Sequence, residues 1–143
     1  YSMHLQSIKI STDIEDQIDE AKSKFIYKRL SKAFREQQVQ AEIIKKHFET
    51  CTFPKVFCGD LNNSAFSYVY RTIKGDMIDA FEEAGSGFGK SYNYKYYPAR
   101  IDYILVENTI KVKQHISLES FLQSDHFPQI ARLNLVNDNV TKK

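Results

Sequence analysis

Three short segments of the chain set charged or amide side chains at the ends of apolar runs. In Gly59-Asp60-Leu61-Asn62, the glycine permits a tight chain exit, and Asp60 and Asn62, two residues apart, can project toward one site. Taken alone this tetrapeptide reads as a turn, because Asp and Asn are among the commonest turn residues. Arg100-Ile101-Asp102-Tyr103-Ile104-Leu105 carries a carboxylate inside an otherwise apolar strand. Such a group is expensive without a partner, which is either a base such as Arg100 in a structural ion pair or a histidine that the acid orients. In Ser124-Asp125-His126-Phe127-Pro128 the adjacent Asp and His side chains diverge, so one can bind a metal while the other faces a phosphate. A lone Asp-His pair would read as a solvated loop.

Several chemistries are excluded by what surrounds these segments. Cys51 and Cys58 form neither a CxxC pair nor a zinc-ligand pattern, and Cys58, within Val56-Phe57-Cys58, is expected to be a buried, inert thiol. Gly85, Gly87 and Gly89 lack the strand, glycine and lysine order of a dinucleotide or phosphate-binding loop. The formal charge of +2 is too small to name a nucleic-acid partner, so phosphate binding must come from a local cluster. No apolar run approaches the roughly 20 residues needed to cross a bilayer. With 143 residues, 42% of them hydrophobic and 27% charged, the chain has material for one core and an ordinary soluble surface.

The elements that must position the three segments follow from periodicity. Residues 1–6 alternate as a short strand, with Met3 and Leu5 on one side and His4 and Gln6 on the other. Ser11-Thr12-Asp13 offers helix N-cap residues, and neither Gly nor Pro occurs from there to Thr50. Ile14, Ile18, Ala21 and Phe25 share one helical face, while Ala33, Gln37, Ala41, Ile44 and Phe48 share a second, rotated one. The spacing therefore predicts two helical stretches with a bend or break near residues 27–31. Lys55 to Cys58 reads as a buried strand, and helical turns are expected over 66–73 and 78–84. Residues 101–106 read as a central strand, and 112–116 and 129–136 as further strands. The polar residues 137–143 form a tail to a domain spanning 1–136.

Taken together and in order, the three segments resemble the motifs GD(L/F)N, R(I/L)DY(I/F) and SDHxP of the endonuclease/exonuclease/phosphatase (deoxyribonuclease-like) superfamily. His4-Leu5 is similar to that family's earlier HL strand, and residues 33–38 to the helix preceding GDxN. The resemblance runs from Tyr1 to about Leu135. It implies an α+β fold, part of a four-layer α/β/β/α sandwich, and metal-dependent hydrolysis of a phosphodiester or phosphomonoester using Mg²⁺ or Mn²⁺. It implies that Asp60 positions or activates the attacking water and adds to the metal site, and that Asn62 holds the phosphate or that water. It further implies that Asp125 contributes to the metal site and that His126 contacts the scissile phosphate. Asp102 would fix the ring of His126, and His4 would act near the leaving group or phosphate. Family members also carry an early Asn and a metal-binding Glu on strands preceding the HL strand, and no residue here matches either. The chain is therefore expected to be the C-terminal part of the domain, to be poorly active alone, and to self-associate through an uncovered apolar sheet face.

Other residues leave alternatives open. Lys90, Tyr92, Tyr94, Lys95, Tyr96, Tyr97 and Arg100 make an aromatic-basic stretch. It serves either as a substrate rim, with Lys90, Tyr96 and Arg100 as binding residues, or as a strand with alternating Tyr. His47 and His115 match no motif and are expected in surface or packing roles. The residues do not choose among nucleic acid, phospholipid head group and nucleotide as the substrate class, although the stretch 87–92 leans toward a bacterial nuclease-like branch. A non-catalytic binding or scaffold domain of the same fold is the alternative. The compartment is not set by the sequence, and tethering to a membrane through a region ahead of Tyr1 is compatible with the resemblance.

Overall fold

The computed structural model describes residues 1–7, 20–95 and 97–135. The expected cap at Ser11 to Asp13, the side chains of Ile14 and Ile18, Tyr96, and the tail 137–143 lie outside those residues. The elements run in the order β1 (Ser2–His4), α1 (Glu20–Thr50), β2 (Val56–Asp60), α2 (Tyr68–Lys74), β3 (Ile78–Asp79), α3 (Ala80–Ala84), β4 (Asp102–Val106), β5 (Ile110–Ser117) and β6 (Gln129–Leu135). Strands β1 to β4 form one sheet in the order β1-β2-β4-β3, and β5 and β6 pair as an antiparallel ribbon. β1 runs parallel to β2, while β4 is antiparallel to both β2 and β3.

Side-chain alternation divides the four-stranded sheet between two environments. Phe57, Tyr103 and Leu105 point to one face and pack with Ala41 and Ile44 of α1 and Val69, Tyr70 and Ile73 of α2. Burial of these large side chains supplies the main drive for folding, on the order of 1.5–3 kcal/mol for each aliphatic or Phe side chain fully covered. On the other face, Ile104 and Val106 join Ala80 and Ile110, with Val112, Ala131 and Leu133 of the β5-β6 ribbon packed against them. The architecture is α+β, with α1 and α2 on one side of the sheet and the β5-β6 ribbon, with α3 beside it, on the other.

The structure departs from the periodicity reading in several places. α1 is a single helix through residues 27–31, not two. With neither Gly nor Pro in the stretch, nothing breaks the backbone ladder. Moreover, Phe25 is 60% exposed, and Ala33 is the first buried position among residues 23–50. The first apolar face therefore meets no core that would force a change of direction. Cys58 is exposed, because it points to the part of the second face that the ribbon leaves uncovered. The turn expected at 78–84 opens with two residues of strand, Ile78 and Asp79, paired to β4. Asp79 then caps α3, its carboxylate accepting from the Phe81 and Glu82 amides. Among the described residues, those of 91–97 form no strand, and Tyr92 makes isolated bridges to Ala99 and to His126.

Candidate functional site

Strand register sets the chemistry in a row. His4 lies opposite Asp60, and Asp60 opposite Asp102, so three neighbouring strands present these side chains side by side at one end of the sheet. The next row inward is Ser2, Cys58 and Ile104, and the next is Val56, Val106 and Ile78. Polar groups thus give way to apolar ones toward the ribbon. Gly59 makes the row compact, since a Cβ there would collide with the Met3 carbonyl of the adjoining strand. No other residue lets β1 approach β2 so closely beside His4 and Asp60.

His126 closes the row from above. Its Nδ1 lies 2.9 Å from Asp102 Oδ2, the partnership anticipated for a carboxylate in an apolar strand, and its Nε2 lies 3.9 Å from Asp60 Oδ2. Pairing with a carboxylate calls for the proton on Nδ1, which leaves Nε2 to face Asp60 and the cleft. The ring is held by the edge-on contact of Tyr92, with centroids 4.9 Å apart, and by the Ser124 hydroxyl, which accepts from the His126 amide at 3.0 Å. Behind the pair lies the fully buried Ser91. Its hydroxyl accepts from the Ile101 and Asp102 amides, each at 2.9 Å, and its carbonyl accepts from the Phe127 amide at 2.8 Å. One residue therefore ties the start of β4 to the segment carrying His126.

Asp60 is held in a partly buried place. Burial raises its carboxyl above the usual Asp value, and Asp102 nearby acts in the same direction; the Asn62 amide and the two imidazoles oppose this. Its Oδ1 accepts from the Asn62 amide at 2.6 Å and its Oδ2 from Asn62 Nδ2 at 3.1 Å, while His4 Nε2 stands 3.6 Å from Oδ2. Asp60, Asp102 and His126 offer ligand atoms all within 4.8 Å of one another. Two hard carboxylates suit an oxygen-seeking dication, and a cation beside Asp60 would relieve the cost of holding its charge in a partly buried place. The cleft over the row measures about 440 Å³ and is bordered on its far side by Phe121, Phe127 and Pro128.

The structure thus brings together His4, Asp60, Asn62, Asp102 and His126. Asp125 stands outside the Asp60-Asp102-His126 group. Its carbonyl accepts from the Asn93 amide at 2.7 Å, and its exposed carboxylate lies 3.5 Å from the Ser124 hydroxyl. Arg100, expected at a substrate rim, is instead drawn into a salt bridge with Asp79 at 2.7 Å and is 12% exposed, stacked between Phe81 and Tyr103. The physical reason is Asp79, a 1%-exposed carboxylate that needs a cation and also accepts from the Tyr70 hydroxyl at 2.7 Å. Lys90 lies over the Phe127 ring and donates to Asn93. His115 is buried edge-on to Phe81, and burial holds its imidazole below the ordinary value. Sequence reasoning did not single out Ser91; its one signal is a small polar residue fixed ahead of the Arg100 segment.

Against this geometry, comparison with known proteins is direct. The sequence profile of the Endonuclease/Exonuclease/phosphatase family matches residues 33–126, more than half of the chain, and the chain belongs to that family. Members of the family are hydrolases of phosphate esters and are generally dependent on a divalent metal. Among solved structures, the chain is similar to a mannosyl-6-phosphatase of Bacteroides thetaiotaomicron, at 23% identity and a TM-score of 0.56, covering 73% of this chain and 46% of that one. An endonuclease/exonuclease/phosphatase of Bacteroides vulgatus is 29% identical with a TM-score of 0.53, covering 73% and 44%. The human Nocturnin catalytic domain with bound sulfate anion is 15% identical with a TM-score of 0.59, covering 94% and 46%. The fold is that of the deoxyribonuclease-like domain, and the chain spans under half the length of these relatives. No curated protein matches the sequence significantly.

Proposed function

We propose that this row is part of the active site of a divalent-metal-dependent phosphoesterase. The observation that carries the proposal is the Asp102-His126-Asp60 arrangement, a carboxylate-oriented imidazole aimed at a second, partly buried carboxylate. In this reading Asp60, whose proton affinity is raised by burial, takes a proton from the attacking water or holds that water in line. Asn62 orients Asp60 and leaves its own carbonyl oxygen to accept from the water. His126 presents Nε2 to a phosphoryl oxygen, kept in orientation by Asp102, and His4 approaches the leaving-group side. Mg²⁺ or Mn²⁺, held by Asp60 beside Asp102, would offset charge on the phosphoryl oxygens; Asp125, outside that group, would have to turn toward it to contribute. The substrate class is a phosphate ester of a nucleic acid, a phospholipid head group or a nucleotide.

The test is hydrolysis of bis-(p-nitrophenyl) phosphate and p-nitrophenyl phosphate by the protein. Asp60→Asn and His126→Ala should each lower kcat by about 10²–10⁴-fold, the range for loss of a general acid or base. A chelator should abolish turnover, and Mg²⁺ or Mn²⁺ should restore it. Wild-type rates in both variants would remove the site from the reaction. The 143-residue chain itself should turn over slowly, because the family's metal-binding Glu has no counterpart in it.

A further inference from the structure

Helix α1 buries a stripe of Ala33, Gln37, Ala41 and Ile44, and one of the four is polar. Gln37 is 0% exposed, a position where an amide is costly unless each of its groups finds a partner. A Leu or Met would fill the same space, with equal helix propensity and no such demand.

The amide's partners lie outside the helix. Gln37 Nε2 donates to the Gln6 carbonyl at 2.7 Å and reaches the Asn62 carbonyl at 3.5 Å, while its Oε1 accepts from Asn63 Nδ2 at 2.9 Å. One turn along, Gln40 Oε1 accepts from the Gln6 amide at 2.9 Å. The two glutamines therefore hold the Gln6 amide and carbonyl, two residues past His4, and Gln37 also grips the turn two residues past Asp60.

That turn enters the left-handed region. Asn62 is the non-glycine residue with positive φ (47°) among the described residues, a conformation that L-residues with a Cβ resist. In this conformation its amide N–H reaches Asp60 Oδ1, and its Nδ2 spans Asp60 Oδ2 and the Leu5 carbonyl. We infer that Gln37 is a positioning residue for this site, a buried amide that locks the Asn62 turn and the end of β1 together so that Asn62 holds the Asp60 carboxylate in place. The inference rests on the proposed phosphoesterase reading and adds a residue that touches neither substrate nor metal.

The experiment is a double-mutant cycle in the full protein, with bis-(p-nitrophenyl) phosphate and Mg²⁺. Gln37→Met keeps volume and helix and removes the three bonds. It should lower kcat by about 10- to 100-fold, as expected for misplacement of a reacting group, while KM changes by less than about threefold. Placed in an Asn62→Ala background, Gln37→Met should lower kcat by no more than about twofold, since both changes would act through one turn. Gln38→Met, at an exposed position on the same helix, should leave kcat unchanged. If Gln37→Met fails to fold, Asn63→Ala removes one of the bonds without touching the core and should lower kcat while leaving the melting temperature close to that of the parent. The inference is overturned by an unchanged kcat in folded Gln37→Met or Asn63→Ala, or by losses that multiply fully in the double mutant. Failure of the underlying reading looks different: Asp60→Asn would then retain wild-type turnover whatever Gln37 does.

Discussion

The two faces of the four-stranded sheet are built from the same strands, often from consecutive residues, and do opposite work. Phe57 is fully buried, while the next residue, Cys58, is exposed; Tyr103 is 2% exposed, yet its neighbour Asp102 carries the histidine pair. The helix-covered face is large, apolar and closed. Its polar insertions are satisfied, as when the Tyr103 hydroxyl meets the Asn63 and Arg100 carbonyls at 2.9 and 2.8 Å. The other face is graded, from apolar residues under the ribbon to charged residues at the open end. Stability is concentrated on the first face and the proposed chemistry on the second, and the alternation of a strand keeps them one residue apart.

The contrast can be broken by exchanging what each face tolerates. Phe57→Ala should have the largest effect on folding, lowering stability by about 3–5 kcal/mol through loss of buried area and the cavity left behind. The midpoint of denaturant unfolding measures it. A loss below about 1 kcal/mol would mean that the helix-covered face is not the main source of stability.

Asp60→Asn should act on the other face with the opposite sign. Because burial raises the Asp60 carboxyl in the folded state, the folded protein binds that proton more tightly than the unfolded chain. The ionised carboxylate therefore detracts from stability above its folded value, and this loss disappears as pH falls through that value toward the unfolded one. Asp60→Asn should raise the melting temperature at pH 7 while abolishing turnover, and the gain should shrink on acidification toward pH 4. A drop in melting temperature at pH 7 as large as that from Phe57→Ala would erase the distinction between the faces. The smallest effect is expected from Cys58→Ser, in the middle row of the open face, where stability should shift by no more than about 0.5 kcal/mol. A larger loss would show that something covers that row.

Much of this division could be read from the chain itself. Residues 101–106, apolar on both faces except for Asp102, read as a central strand; the cost of an unpaired Asp102 called for a partner, and the family resemblance pointed to His126, 24 residues away. The stripe Ala33, Gln37, Ala41 and Ile44 was visible at helical spacing. Other features depend on distances that spacing does not encode. Arg100 is two residues from Asp102 but pairs with Asp79, because the buried Asp79 carboxylate has the greater need of a cation. Phe25 belongs to a regular apolar face, yet is exposed because no element of the described structure buries it. Gln37 lies on that helical stripe by spacing, and its partners at Gln6 and Asn63, in two separate segments, are not encoded by helical spacing. Cys58 has the composition of a core residue, and its exposure depends on how far the β5-β6 ribbon extends over the sheet.

The pairing of His4, Asp60 and Asp102 across three strands also bears on how the sheet finds its alignment. Were β4 to slide one residue along β2, every side chain of β4 would change sides. Asp102 would then turn toward Phe57 and the helices, a region of large apolar side chains, and Tyr103 would project into the cleft. A slip that preserved many backbone hydrogen bonds would still be penalised by the desolvation of an acid. The groups poised for chemistry thereby act as alignment marks during assembly, and a chain with Asp102 replaced by an apolar residue would lose an activity and, with it, a safeguard against misregistered folding.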